Sequence, residues 1–429
     1  MQKYAATVET TAVEKKEIWA NGFVFATAMW LSSRLIIAIA MMAIAPALPS
    51  PSNIMPTSGW GVFEGWDSIH YRAIAVSGYE YANDGQGHNV AFFPLFPLLI
   101  RGVMTLGLPF EVAGTLVNNL ALLGAIALVY FWVEERHGRS AARWASAVLA
   151  WCPFSLFGTV IYTEGLFLFF STAALRAFDK RQYGWLSLCG ALATATRPTG
   201  IALIPAFLIA AWKERRPLIA YVASLATAGG LLLFSLYCWI RFADPFAFIQ
   251  AQRGWRPSVG FDWQGWWKML MQISIGTANW KYGGIKDPWH PLLFLILVSC
   301  AYLLWRFRQR LGSVKVGYGF CVLWLILWLQ AGDPLINTVS LVGGGYLLWH
   351  FRNQLSLVTV IYGFCGLGLI LSSGGTWSIG RIAYGIVSLA IALGLLLSRH
   401  PRWGYATIGF FTVLLIPLSI RFAQHLWAG

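Results

Sequence analysis

The sequence predicts an all-helical protein that crosses a membrane many times, and three observations carry that expectation. Of its 429 residues 58% are hydrophobic and only 11% charged, far from the balance of a water-soluble domain. Apolar runs of span length recur from one end to the other, and in lipid each run must satisfy its backbone polar groups within a helix. The remaining charges gather in segments between the runs.

The runs fall near residues 19–45, 112–133, 141–158, 164–178, 183–196, 199–212, 217–240, 290–305, 316–331, 335–349, 355–372, 381–398 and 403–422, giving about thirteen spans in a single domain over 1–429. The first is too long for the apolar stretch of a signal peptide and no convincing small-residue cleavage site follows it, so it reads as a retained span. The run Ala91–Leu108 carries Pro94, Pro97 and Arg101 and reads instead as a helix lying in the outer interface. With the amino terminus placed in the cytoplasm, nineteen of the 31 basic residues fall in the inner loops, eleven outside, and Arg34 within the first span. The inner loops are short, which is where the positive-inside rule is reliable.

That distribution explains most of the formal charge of +14 as topology and contact with anionic lipid, which argues against a nucleic-acid partner. Six cysteines (Cys152, Cys189, Cys238, Cys300, Cys321, Cys365) all sit inside apolar runs without a CxxC pair or a His/Cys cluster, so they read as packing residues. Residues 302–327 and 346–371 align without gaps and share 17 of 26 positions, a tandem repeat with a period of 44 residues. Such a period adds one helical hairpin and preserves orientation, so it reads as a duplicated packing unit; only an inverted repeat would hint at an alternating-access transporter.

In this topology the motif-like polar segments all face outward: the first outer loop (47–111), "YTEG" at 162–165, "ATRPTG" at 195–200, the long loop 243–289 and "SSGGTWSIGR" at 372–381. A site on the outer face is the natural hypothesis. Within the first loop, "EGWDSIHYRAIAVSGY" (Glu64–Tyr79) taken as a helix puts Trp66, Ile69, Ala73 and Val76 on one face and Asp67 with Tyr71 well around from it. Such a helix would lie flat with Trp66 as its anchor and Asp67 turned toward an outer cavity, or Asp67 would simply cap the helix.

Glu164, Arg197 and Arg381 each stand where a helix begins on the same side. Singly each could be a snorkelling side chain or half of an ion pair; together they suit phosphate and sugar recognition. The segment Asp244–Pro257 and the tryptophan-rich "FDWQGWWKM" at 261–269 mix aromatics with Gln252, Arg253 and Arg256, which suits a carbohydrate or an interfacial belt equally. Asp67, Glu80, Asp84 and His88 could also assemble a weak divalent site for Mg2+ or Mn2+, although no metal or other cofactor is expected to be required.

"WDSIHYRAIAVSGY" followed at Ala91 by "AFFPLFPLLIR" resembles the first-loop signature of the PIG-V family of mannosyltransferases, in the manner of a prokaryotic relative. The resemblance continues in "CPFSLFGTVIYTEGLF" (Cys152–Phe167), "ATATRPTG" (Ala193–Gly200), "AFIQAQRGW" (Ala247–Trp255) and, more weakly, "SIGRIAYG" (Ser378–Gly385), where Ile382 follows Arg381 and relatives place tyrosine. It implies a GT-C-like glycosyltransferase of the bacterial inner membrane or an ER-type membrane, with its active site on the periplasmic or lumenal side. It further implies a polyprenyl-phosphate sugar, mannose in this family, as donor and a lipid or glycan hydroxyl as acceptor. Asp67 would be the catalytic base of an inverting transfer; His70, Glu164, Arg197, Gln252, Trp255, Arg256 and Arg381 would bind substrate. A lipid-linked-sugar flippase and a noncatalytic subunit of a glycosylation complex are the alternatives.

Overall fold

The computed structural model describes residues 2–49, 57–256 and 260–427, with side chains from residue 21 onward. Residues 50–56 of the first outer loop, Pro257 at the end of the segment Asp244–Pro257, and the side chains of Lys3, Lys15 and Lys16 lie outside the described residues. Every named element among the described residues is helical, and one isolated bridge between Gly260 and Ser373 ties two loops together. Five helices are long and apolar enough to cross a membrane by themselves: Asn21–Ala47, Phe110–Trp151, Trp289–Arg306, Ser313–Ala331 and Pro401–Ala423. The pair Leu218–Ala226 and Gly229–Phe242, bent by 41°, makes a sixth, and Pro198–Lys213, Leu357–Leu371 and Val387–Arg399 are apolar but shorter.

Several apolar runs are broken rather than straight, and local chemistry explains each break. Gly138, at φ 80°, reverses the chain inside Phe110–Trp151 and separates two of the expected spans. The run 141–158 leaves the α-helix at Trp151, because Pro153 lacks an N–H and the buried Arg34 guanidinium takes over the carbonyls: it donates to Ala150 O (2.9 Å), Ser155 O (2.7 Å), Ser155 Oγ (2.7 Å) and Thr159 Oγ1 (2.6 Å). The run 381–398 divides into Ile379–Tyr384 and Val387–Arg399, with the Tyr384 hydroxyl donating to Leu149 O at 2.8 Å. The interfacial run condenses to the helix Leu95–Met104, which buries Phe96, Pro97 and Ile100.

The kinked Phe110–Trp151 helix is the hub, packing against Gln2–Ile39, Glu164–Asp179 and Val387–Arg399. Segments assigned to the inner face meet one another: Arg176 Nη2 and Lys180 Nζ reach Glu135 at 2.8 and 3.0 Å, Arg136 reaches Asp179 at 3.0 Å, and Arg399 bonds Gln354. The two repeat copies keep one local device, an arginine folded back on a tryptophan (Arg308 over Trp305, Arg352 over Trp349), each donating to that tryptophan's carbonyl. They differ in burial. Leu348, Phe351, Val358 and Tyr362 of the second copy are in the core, whereas Phe307, Val314 and Tyr318 at the equivalent places of the first are exposed. An apolar face left open in this way is what lipid covers.

Two polar networks fix the segments that later form the site. Asn118 donates to Phe157 O (2.8 Å) and Val160 O (2.7 Å) and accepts from Gly165 N (2.9 Å), while Ile161 N donates to Phe63 O at 3.1 Å. The turn before the Glu164–Asp179 helix is thereby fastened to the hub and to the first loop. Arg72 lies between two carboxylates, donating to Glu64 and, at 2.5 Å, to Glu111, with its guanidinium 4.5 Å from the centre of the Phe110 ring. The bonds to Glu64 hold its proton more tightly than usual, outweighing the opposing effect of burial.

A Cβ at Gly165 would collide with the Asn118 carbonyl and side chain, so Gly165→Ala is expected to cost about 1–3 kcal/mol and to lower the thermal midpoint of the purified chain in detergent. Arg72→Met leaves Glu64 and Glu111 facing an apolar side chain; a loss of about 1–2 kcal/mol is expected, with Arg72→Lys intermediate in the same thermal assay because it restores the charge but not the fork.

Candidate active site

Asp67 is the residue before the Ser68–Ser77 helix, but its side chain makes no cap hydrogen bond. The helix instead buries Tyr71, Ile74 and Ala75 and leaves Ile69 and Val76 exposed, so its apolar outer face is available to an interface while Asp67 is free to reach elsewhere. Its Oδ2 accepts from Arg381 Nη1 at 2.8 Å, and its backbone N–H donates to the Tyr162 hydroxyl at 3.2 Å. Burial first, and the Asp67 carboxylate second, push the Tyr162 hydroxyl well above its ordinary pKa, so the phenol stays protonated.

From Arg381 the network passes inward. Arg381 Nε stands 3.6 Å from Glu164 Oε1, and Arg197 Nη1 lies against the same oxygen. Both are ion-pair contacts without hydrogen-bond alignment, and Glu164 Oε2 has no hydrogen-bond partner among the described residues. The side chains are graded in exposure: Asp67 33%, Arg381 16%, Arg197 13% and Glu164 1%. A ligand arriving from outside therefore meets Asp67 first, and Glu164 acts from beneath. Arg381 also stacks over Tyr162 and Phe157, at 5.2 and 5.4 Å from their ring centres.

Arg256 closes the group from the long loop. It donates to Ser373 O (3.2 Å) and Trp377 O (3.3 Å), beside the Gly260–Ser373 bridge, so the loop is clipped to the segment leading to Arg381. Burial, and then the neighbouring charges of Arg381 and Arg197, hold its pKa below the ordinary arginine value. Three guanidiniums thus lie within electrostatic reach of one another with fewer carboxylates than they could use. Such a group is poised to accept an anion.

The other expected residues form a wall beside Asp67. His70 stacks on Phe92 with ring centres 4.5 Å apart and meets the edge of Trp255 at 5.3 Å. Its ring makes no hydrogen bond to Asp67, whose influence is electrostatic: burial lowers the His70 pKa and the Asp67 charge opposes it. Gln252 donates to Ala91 O at 3.2 Å and so holds the loop rather than pointing a free amide at a ligand.

The four residues considered for a metal do not converge. Asp84 and His88 pair with each other at 2.8 Å while Asp67 is paired with Arg381, and among the described residues no group of three or more His, Cys, Asp or Glu side chains is placed to hold a metal ion. With Arg381 between the two site carboxylates, these residues do not fit a divalent cation there. All six cysteines are free.

Sequence reasoning missed Arg34 and Arg72, which hold the site's supports, and the C-terminal Phe422–Trp427 segment, where Phe422 packs on Tyr162 and Trp427 on Trp66. An arginine inside the first apolar run was a legible signal for Arg34. Nothing local marked the other two.

Comparison with known proteins gives concordant results. The chain is 33% identical over 259 residues to GPI alpha-1,6-mannosyltransferase 2 of Rattus norvegicus, covering 52% of this chain and 51% of the relative. It is 24% identical over 284 residues to the Homo sapiens protein of that name, covering 57% of each. The chain thus spans about half the length of the curated relatives it matches. Its fold resembles that of apo ArnT from Cupriavidus metallidurans, with a TM-score of 0.50 at 15% identity over 91% of this chain and 62% of that one, in keeping with a GT-C-like architecture. The family model Mannosyltransferase (PIG-V) matches residues 33–221. The resemblance read from the motifs is matched independently: the segment that carries Asp67, Glu164 and Arg197 is similar to the PIG-V mannosyltransferases.

Proposed function

We propose that this chain moves a mannosyl residue from a polyprenyl-phosphate donor to a hydroxyl of a lipid or glycan acceptor, with inversion, on the outer face of a membrane crossed about thirteen times with the amino terminus inside. The observation that carries the reading is the most exposed carboxylate of the site, Asp67, set against an excess of guanidinium groups. The related proteins are named mannosyltransferases, which supports the sugar and favours a transferase over a flippase or a noncatalytic subunit. Segments 67, 162–164, 197, 256 and 377–381, all assigned outward by the charge distribution, meet in one place, which supports the topology.

In this mechanism Asp67 accepts the proton of the acceptor hydroxyl as its oxygen attacks the anomeric carbon. The bond from that carbon to the phosphate oxygen breaks, and the electron pair leaves with the lipid phosphate, whose charge Arg197, Arg256 and Arg381 receive. Before donor arrives, Arg381 occupies the Asp67 carboxylate through their ion pair. The donor is a phosphodiester whose single negative charge is shared by two oxygens; it competes for that guanidinium, so donor binding frees the base. Glu164, buried beneath two arginines, offsets part of their charge and is a positioning residue.

Membranes containing the chain, incubated with radiolabelled dolichyl-phosphate mannose, are expected to form labelled glycolipid. Asp67→Asn should reduce transfer by roughly 10²–10⁴-fold, the range of a lost general base; unchanged transfer in that variant would sink the assignment.

A further inference from the structure

We infer that Trp66, Trp377 and Trp427 form a carbohydrate platform that receives a pyranose ring of the acceptor; the inference rests on the transferase reading of the adjoining Asp67. Trp427 brings the two halves of the site together at its outer edge. Its ring meets Trp66 at 5.5 Å and Trp377 at 5.9 Å between centres, edge to face in both cases, with interplanar angles of 88° and 84°. All three side chains are exposed, and none of their indole N–H groups has a hydrogen-bond partner among the described residues. Open aromatic faces with free donors match a sugar, which offers C–H groups on its ring faces and hydroxyls at its rim.

The placement is specific to the chemistry beside it. Trp66 directly precedes Asp67, and Trp377 directly precedes Ser378, from which the helix bearing Arg381 departs. Both junctions are left-handed, at φ 55° for Trp66 and 57° for Ser378. Glycine would adopt such a conformation without strain, whereas tryptophan there costs free energy. An indole kept at that position is serving through its ring. The Trp377 carbonyl is also the acceptor for Arg256, so the platform is joined to the guanidinium group by one residue. A sugar resting on these rings would present a hydroxyl to the Asp67 side of the site, whereas a prenyl chain would leave three N–H donors unused.

The test uses the full chain in lipid nanodiscs, labelled with 5-fluorotryptophan, with resonances assigned by single Trp→Phe substitutions. The probes are octyl α-mannopyranoside and tetraethylene glycol monooctyl ether, which share a tail and differ in headgroup, both below their micelle concentrations. The expected result is a saturable shift of the Trp377 and Trp427 resonances with the mannoside alone, no shift at Trp185, an exposed tryptophan in the first turn of the Tyr183–Thr196 helix, and an apparent affinity about ten-fold weaker in Trp377→Leu. Equal shifts with both probes would identify an interfacial belt and overturn the platform, as would no shift of these resonances with the mannoside. A chain that binds the mannoside here yet transfers no mannose would refute the transferase reading and leave the platform standing.

Discussion

The contact between Asp67 and Arg381 joins residues 314 positions apart, and much of the outer half of the molecule is arranged so that it can form. Asp67 is held from one side by a left-handed Trp66 and the Tyr162 hydroxyl. Arg381 is delivered by a short helix cut off from the span that follows it and stacked on Tyr162 and Phe157. The segment 153–163 that carries these rings is itself organised by Arg34 from below and Asn118 from the side. A polar chain of this length in an apolar protein is tolerable because nearly every charge in it has a partner. The exception is Arg256, which donates only to backbone carbonyls and has no carboxylate partner among the described residues; an anionic ligand would supply one.

The balance of charge suits this arrangement to an anionic ligand. Two carboxylates cannot satisfy three guanidiniums, so these side chains carry a positive surplus in a partly desolvated setting, where electrostatic interactions are stronger than in water. That surplus is tolerable only at the outer edge, where Asp67 and Arg256 approach solvent, and the exposure gradient from Asp67 down to Glu164 follows from it. The remaining fold supplies rigidity, with the Phe110–Trp151 hub fixing the start of the Glu164–Asp179 helix and the outer loops tied together at Gly260 and Ser373.

The helical class, and the positions of most helices, were legible because lipid solvation leaves a chain this apolar few options. Breaks within runs were less so: apolarity is continuous across 141–158 and 381–398, and the interruptions come from Pro153 with the distant Arg34, and from the anchoring of Tyr384. Asp67, Glu164, Arg197 and Arg381 stood out as charges at helix starts. Their pairing did not, since sequence spacing carries no information about which guanidinium reaches which carboxylate. Arg72 and Trp427 were invisible for the same reason: their partners, Glu111 and the pair Trp66 and Trp377, come from other elements.

The central claim is that Asp67 and Arg381 act as one unit. A double-mutant cycle on transfer rate, with Asp67→Asn, Arg381→Gln and the two combined, measures that directly. The account predicts strong non-additivity, with the double variant little slower than Asp67→Asn alone. Penalties that multiply in the double variant would mean that the two residues work independently, contradicting the account.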